Sequence, residues 1–537
     1  KKKMNKLVKY FMFASLAMGI VACTDLEEDL VGDITSDIIV ESPGDPNDNN
    51  STPSGPLTAS YNEFFNLGIA NHGSYFSIQE IPSDEMCIAA KGGDWLDGGI
   101  LIQLHQHTYT PNHDFVNNTW TNTYNAIATV NEALGNNELT VEQRAQGRAI
   151  RGYHYWRLLD LYGNVKIVTE TNTDPPQSDR AAVFAAVEED LLAALGVPEI
   201  TADMDLSNSP LADGGSAYVM NRYGVLGLLS KLYLNAEVYV GTPMYDKAEI
   251  AASAIIDSGL YMLCGDGCTV KNLSKRPSVD SDPEELEGYA AVFAPNNEGN
   301  PEHIFSINFD EVTGENMNFV QMNLHYSSQF TWNLDEQPWN GYATLEEFYN
   351  SYEDGDARKD ANFIVGPQLD FGGSAILDYA SDDGKIELEY TPEINELEPN
   401  SLREAGARPG KFSFKQFNRR HQDNDFPVVR LGEIYLNRAE AVCRQAGDWS
   451  AGIADVNVLR ARAGVSAYSS MDEAEFLAER GREMYQETSR RTDLIRFGKY
   501  NGTWWEKPAS DATKNIFPIP LAQITAAAGS LTQNPGY

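Results

Sequence analysis

Two stretches of this chain place apolar residues at helical spacing on either side of a short break, a pattern that restricts the folds open to it. From Asn221 the positions Val225, Leu228, Leu229, Leu232, Tyr233 and Ala236 recur along one helix face, and Gly241-Thr242-Pro243 interrupts the run. Ala248, Ala251, Ala252, Ile255 and Ile256 then resume it until Gly259. The second stretch sets Leu431, Ile434, Tyr435, Ala439 and Val442 on one face, turns at Gly447-Asp448, and continues through Ile453, Val456, Leu459 and Ala463 to Gly464. An amphipathic helical hairpin cannot bury its apolar face alone and has to stack on neighbours.

Each unit has about the length of a tetratricopeptide-like repeat. Glu142–Tyr162 adds a further helical stretch, rich in long side chains and broken at Gly163. The predicted fold is therefore predominantly α, a tetratricopeptide-like scaffold of helical hairpins around 115–264 and 427–500. Between them, residues 265–425 are rich in Gly, Pro, Asn and Asp, which predicts a loop-rich region with short strands such as His303–Phe309 and Lys411–Phe417. Ordered loops on a rigid frame are the usual seat of binding specificity.

The N-terminus speaks to location. Lys1, Lys2, Lys3, Lys6 and Lys9 precede the apolar run Phe11–Ala22, which is too short to span a bilayer and reads as a processed leader over residues 1–22. Ala22-Cys23 resembles a bacterial lipoprotein signal, with Cys23 as the lipidated residue, and the acids that follow resemble surface-export signals. Residues 23–56 then form the lipidated end and a spacer whose Glu41–Pro56 portion lacks apolar anchors, and the folded body is expected over 57–537. The formal charge of −38 becomes more negative once the leader's lysines are gone, so phosphate backbones are repelled and nucleic-acid binding is excluded. Five cysteines make no disulfide scaffold. Cys264 and Cys268 admit a short local disulfide or two free thiols, with Cys87 and Cys443 remaining.

Several segments then resemble the SusD/RagB family of outer-membrane nutrient-binding lipoproteins. They are Ala145–Val168, Ala248–Leu263, Val429–Val465, Arg482-Glu483, Arg490–Lys499, Phe517–Pro520 and Gln533–Tyr537, in the family's order. Lys166 stands where the family has a proline, and Gln486-Glu487-Thr488 replaces its Glu-Gly, departures that bear on local turns. Arg460, Arg462, Glu483, Arg490, Asp493 and Arg496 read as structural ion pairs and caps. The resemblance implies a lipid-anchored outer-membrane receptor, facing outward, that passes a glycan to a TonB-dependent transporter without cleaving it and without a cofactor.

A sugar site needs aromatic planes beside amide, carboxylate or guanidinium partners. Two regions supply them. Residues 75–97 offer Tyr75, Asp94 and Trp95 among glycines, and 319–342 offer Trp332, Trp339, Asn340 and Tyr342 without a regular period. Trp95 leads as a stacking residue, Asp94 and Asn340 as hydrogen-bonding partners, and one of Trp332 and Trp339 is expected in the core. Two readings from other classes stay open: a surface glycoside hydrolase using a carboxylate pair, and a repeat-based assembly or adhesion protein. No metal site is expected: His105-Gln106-His107, read as strand, lacks an acidic ligand at a diagnostic spacing, and Arg358 interrupts an EF-hand-like run of Asp354, Asp356 and Asp360.

Overall fold

A computed structural model describes residues 52–276, 279, 281–313, 316–381 and 384–537. The leader, Cys23 and most of the spacer lie outside the described residues. Helices dominate. In chain order the elements used below are α1 (Thr58–Asn66), α2 (Tyr75–Glu80), α3 (Ile100–His105), α4 (Asp114–Leu134), α5 (Val141–Leu161), α6 (Arg180–Leu195), α7 (Arg222–Leu234) and α8 (Tyr245–Asp257). They continue with β1 (His303–Ile307), α9 (Gln329–Trp332), β2 (Phe426–Arg430), α10 (Leu431–Ala446), α11 (Ile453–Arg462), α12 (Glu473–Met484) and α13 (Arg490–Arg496).

Local chemistry sets the helix ends. Thr140 and Gln143 form a reciprocal capping box at the start of α5, Asp472 and Glu475 do the same for α12, and the Asn221 side chain accepts from Tyr223 N and Gly224 N at α7. Gly447 closes α10 in the left-handed conformation. The helices pair in succession, α4 on α5, α5 on α6 and α7 on α8, and α8 also packs on α10. The two sequence-read hairpins thus share a face, and neither leaves its apolar stripe in water. β1 and β2 pair antiparallel, Phe426 opposite Ile307 and Arg430 opposite His303, with a bulge between Pro427 and Arg430. Gly227 of α7 is required there, since a Cβ would lie 2.3 Å from Val429 Cγ1.

Two expectations are corrected. Lys411–Phe417 is irregular rather than a strand, and Lys411 instead turns inward to the Glu483 and Tyr485 carbonyls at 3.0 and 2.9 Å. His105 closes helix α3 and His107 is a positive-φ residue, so the two histidines do not share a strand face. Their rings bind locally instead, His105 to Trp505 O at 2.8 Å and His107 to Pro82 O and Ser510 Oγ at 3.0 Å.

Beneath α11 and α12 lies a buried ionic network. Glu483 receives Arg430 at 2.8 Å and Arg358 at 3.2 Å, with Arg462 also on it. Glu302 receives Arg430 and Arg462 at 2.7 Å, and Glu487 receives Arg430 at 2.6 Å and also Lys411. Arg358 also holds Asp356 and Glu479 at 2.8 Å, and Arg460 and Arg482 complete the set through Glu479 and Glu353. Six cations face six carboxylates in this network, so its interior is close to neutral. Burial disfavours ionisation of Glu483, yet Arg462, Arg430 and Arg358 outweigh it and hold the carboxyl well below the usual range. Glu487 anchors the departure from the family pattern, while Gln486 and Thr488 on either side take positive φ.

Candidate functional site

The loop after α2 builds one wall of the site. Lys91 and Asp94 exchange backbone hydrogen bonds at 2.8 and 3.3 Å, which closes a tight turn and throws Trp95 into positive φ. The indole N–H of Trp95 donates to Trp339 O at 2.6 Å. Its six-membered ring covers Gly341, where a Cβ would sit 2.7 Å from Trp95 Cζ2 and 2.8 Å from Met322 O. At 9 % exposure Trp95 offers an edge rather than an open face.

Residues 339–342 are laced to the segment before them. Trp339 N donates to Gln321 O, Asn340 N to Leu324 O, and the Gly341 and Tyr342 amides both to Met322 O, all between 2.7 and 3.0 Å. This leaves Trp339 half-buried, with the Arg420 guanidinium 5.4 Å from its ring centre. Tyr326, also half-buried, donates its hydroxyl to exposed Asp94. Burial of part of the Asp94 carboxyl shifts it upward. Just beyond, Phe330 is 50 % exposed, with its ring edge-on to exposed Tyr379 at 6.2 Å.

The remaining sequence candidates are core. Tyr75 is buried under the Arg157 guanidinium, 3.5 Å above its ring, and Tyr342 is buried with its hydroxyl on Ser77 Oγ at 2.7 Å. Trp332 packs edge-on against Phe414 at 5.6 Å and is nearly buried, so Trp339 is the exposed member of that pair. Asn340 is buried with φ +59°, and its amide has no protein partner. Asparagine tolerates that left-handed backbone better than most residues, which accounts for its presence without a ligand. Trp95, Asp94 and Trp339 are thus brought together, and Tyr75, Trp332, Asn340 and Tyr342 are removed from the surface platform.

Behind the Trp95 wall runs a cleft of about 530 Å³ that sequence reasoning missed. It is lined by Asn66, Asn71, Asn118, Asn122, Asn125 and Asn316, with Glu63, Phe65 and His72. Asn118, Asn122 and Asn125 fall on one face of α4, a spacing visible in sequence, whereas the opposing amides come from the end of α1 and from loops that only folding assembles. His72 joins the two features. Its ring lies edge-on to Trp95 at 5.1 Å and to Phe115 at 4.9 Å, and its Nδ1 meets the Tyr342 hydroxyl at 3.2 Å. Burial lowers its pKa to about 4, so the imidazole is neutral near pH 7.

Among the described residues the lining includes a single carboxylate, Glu63, and no lysine or arginine. Glu63 already accepts from Thr129 Oγ1 at 2.9 Å and Asn66 Nδ2 at 3.3 Å. Planar amides next to aromatic edges suit neutral hydroxyl groups, each amide offering both donors and an acceptor. Glu80, the last residue of α2, and Glu85 form a close carboxylate pair elsewhere, and both are buried. Among the described residues no group of His, Cys, Asp and Glu is arranged to hold a metal ion.

Comparison with known proteins places this architecture. The family model described as SusD family matches residues 281–537, and one described as starch-binding associating with outer membrane matches 83–234. The starch-binding protein SusD of Bacteroides thetaiotaomicron is 26 % identical over 510 residues, covering 86 % of this chain and 85 % of the relative. Among solved structures, a laminarin binding SusD-like protein superposes with a TM-score of 0.65 at 20 % identity, over 90 % of this chain and 98 % of that one. Surface glycan-binding protein A from Bacteroides thetaiotaomicron gives 0.65 at 18 %, over 89 % and 98 %. A SusD superfamily protein from Parabacteroides distasonis gives 0.66 at 17 %, over 90 % and 98 %. With one family model matching residues 83–234, another matching 281–537 through most of the loop-rich region, and the same fold over 90 % of the chain, the chain belongs to the SusD/RagB family.

Proposed function

We propose that this protein is a surface receptor for an uncharged oligosaccharide or polysaccharide, which it binds without cleaving. One observation carries the reading: an amide-lined cleft without lysine or arginine meets, at His72 and Trp95, a rim bearing half-buried Trp339 and Tyr326. Sugar C–H faces stack on such rings while hydroxyls exchange hydrogen bonds with amides. Trp339 is the stacking residue, Asp94 orients Tyr326, and Asn118, Asn122 and Asn125 read hydroxyls along α4. The starch and laminarin named for its relatives are neutral glucans and fit this chemistry.

That a single carboxylate lines the cleft among the described residues supports binding over hydrolysis, since a glycosidase of the usual kind needs two carboxyl groups flanking the scissile bond. The family relationship supports the partner and place: a lipid on Cys23, an outward-facing position at the outer membrane, and delivery to a TonB-dependent transporter. Electrophoresis of the purified protein through gels containing starch, laminarin and a panel of neutral and acidic polysaccharides tests the reading. Retardation by a neutral glycan, with no new products on chromatography, is expected. Retardation by acidic glycans alone would contradict it, reproducible turnover would favour the hydrolase, and failure of every glycan to retard would favour an assembly protein.

A further inference from the structure

Arg157 is the least conventional charged residue of the core. It sits on α5, 2 % exposed, with its guanidinium sandwiched between the rings of Tyr75 at 3.5 Å and Tyr153 at 4.4 Å. It makes no ion pair among the described residues, and its Nε and Nη1 have no protein partner. Asp160, one turn along the helix, is a carboxylate that acts on it, but its oxygens are taken by Tyr239 at 2.9 Å and by Arg491 and Thr492 at 3.1 Å. Burying a guanidinium without a charge partner costs several kcal/mol on the order of a broken internal ion pair, which asks for a compensating group.

The same side chain lines a partly enclosed cavity of about 40 Å³ where α5, α7, α10, α12 and α13 meet. Ser489, whose hydroxyl is buried without a protein partner, lines it as well. The charged lining comprises Arg157, Lys231, Arg480 and Arg496 against Glu433, Glu487 and Asp493. Each carboxylate there is already engaged: Glu433 by Lys231 at 2.7 Å, Asp493 by Arg496 at 2.7 Å and Arg480 at 2.9 Å, Glu487 by Arg430 at 2.6 Å. With Glu487 taken by Arg430 and Lys411, the lining cations Lys231, Arg480 and Arg496 share Glu433, Asp493 and Glu440, and Arg157 alone among the lining cations has no ion pair among the described residues. The volume admits a monatomic anion or two or three waters and is too small for a phosphate held with its hydration.

We propose that this cavity is a binding site for a small monovalent anion, chloride in ordinary media, held by Arg157 Nε and Nη1 and the Ser489 hydroxyl. The anion completes the charge balance at the junction of the helical hairpins, so halide binding and folding are linked. The site shares no residue with the glycan cleft and is independent of that reading, which neither supports nor endangers it.

Crystals of the full chain grown in sodium bromide, measured at the bromine edge, test it directly. An anomalous peak within hydrogen-bonding distance of Arg157 Nη1 is expected, whereas a featureless cavity or water alone overturns the proposal. In solution, thermal unfolding at fixed ionic strength is compared in sodium chloride, bromide and gluconate. Above saturation, each tenfold rise in chloride should multiply the folded-to-unfolded ratio about tenfold, and gluconate should not. Arg157→Met, which keeps the packing between the two tyrosines, should abolish the halide dependence. If that variant fails to fold, the bromide crystals of the wild type decide alone, and the lack of an anomalous peak beside Arg157 overturns the site.

Discussion

Glu483→Gln tests the ionic network that fixes α11 and α12 to the β1–β2 pair. The substitution keeps shape and removes one charge. Glu483 Oε1 receives Arg430 and Arg462 while Oε2 receives Arg358, so the glutamine amide turns an N–H₂ toward at least one buried guanidinium. The set changes from balanced to one excess positive charge at 0 % exposure of the Glu483 side chain. Removing one partner of a buried pair costs about 3–5 kcal/mol, a large share of the roughly 5–15 kcal/mol that hold a domain folded. The sign with pH follows from the depressed folded pKa of Glu483. Its contribution is fully present above the unfolded carboxylate value near 4.3 and is lost as pH falls further, toward the folded value. Urea denaturation followed by tryptophan fluorescence should show the gap between wild type and variant constant from about pH 8 to 5 and narrowing below about pH 4. A loss under about 1 kcal/mol at pH 7, or a gap unchanged at pH 3, refutes the reasoning.

Three further outcomes are expected. Gly341→Ala drives a Cβ against Trp95 and the Met322 carbonyl, and since backbone cannot yield cheaply it should destabilise by about 1–3 kcal/mol and shift the tryptophan emission; an unchanged melting curve contradicts the packing. The structure pairs Cys264 with Cys268, and opening that small loop in the double serine variant should cost about 2 kcal/mol, checked by the denaturation midpoint with and without reductant. Burial raises Glu80 to about 7, so wild-type stability should fall as pH rises from about 4.3 through 7, and Glu80→Gln should flatten that slope; a variant with the wild-type slope contradicts it.

Helical spacing made the scaffold legible because α8, α10 and α11 each bury one apolar face, while α7 is buried nearly all round and its apolar run showed a helix without showing how deep it lies. His303–Phe309 read as a strand and forms one over His303–Ile307, whereas Lys411–Phe417 does not, because strand pairing needs a partner and Lys411 is drawn inward by carbonyls far along the chain. The site was only partly readable. Composition found the aromatic loops, but whether Trp95 shows a face or an edge depends on Gly341 and Trp339 O, positions joined to it only by folding. Asn340 drew notice for its amide, while its backbone conformation explains it. The asparagines of α4 had the right spacing and were passed over, since exposed amides on a helix are unremarkable until loops bring others opposite them.

The most direct measurement is calorimetric titration of the neutral glycan that most retards the wild type, carried out on wild type, Trp339→Ala and Asn122→Ala. Asn122 and Trp339 are both half-buried, and Trp339 packs against the core, so the unfolding midpoint of each variant is followed beside its affinity. Affinity about tenfold weaker, equivalent to about 1.4 kcal/mol, is expected for each variant that remains folded. Wild-type affinity in both variants would contradict a receptor site at this cleft and rim.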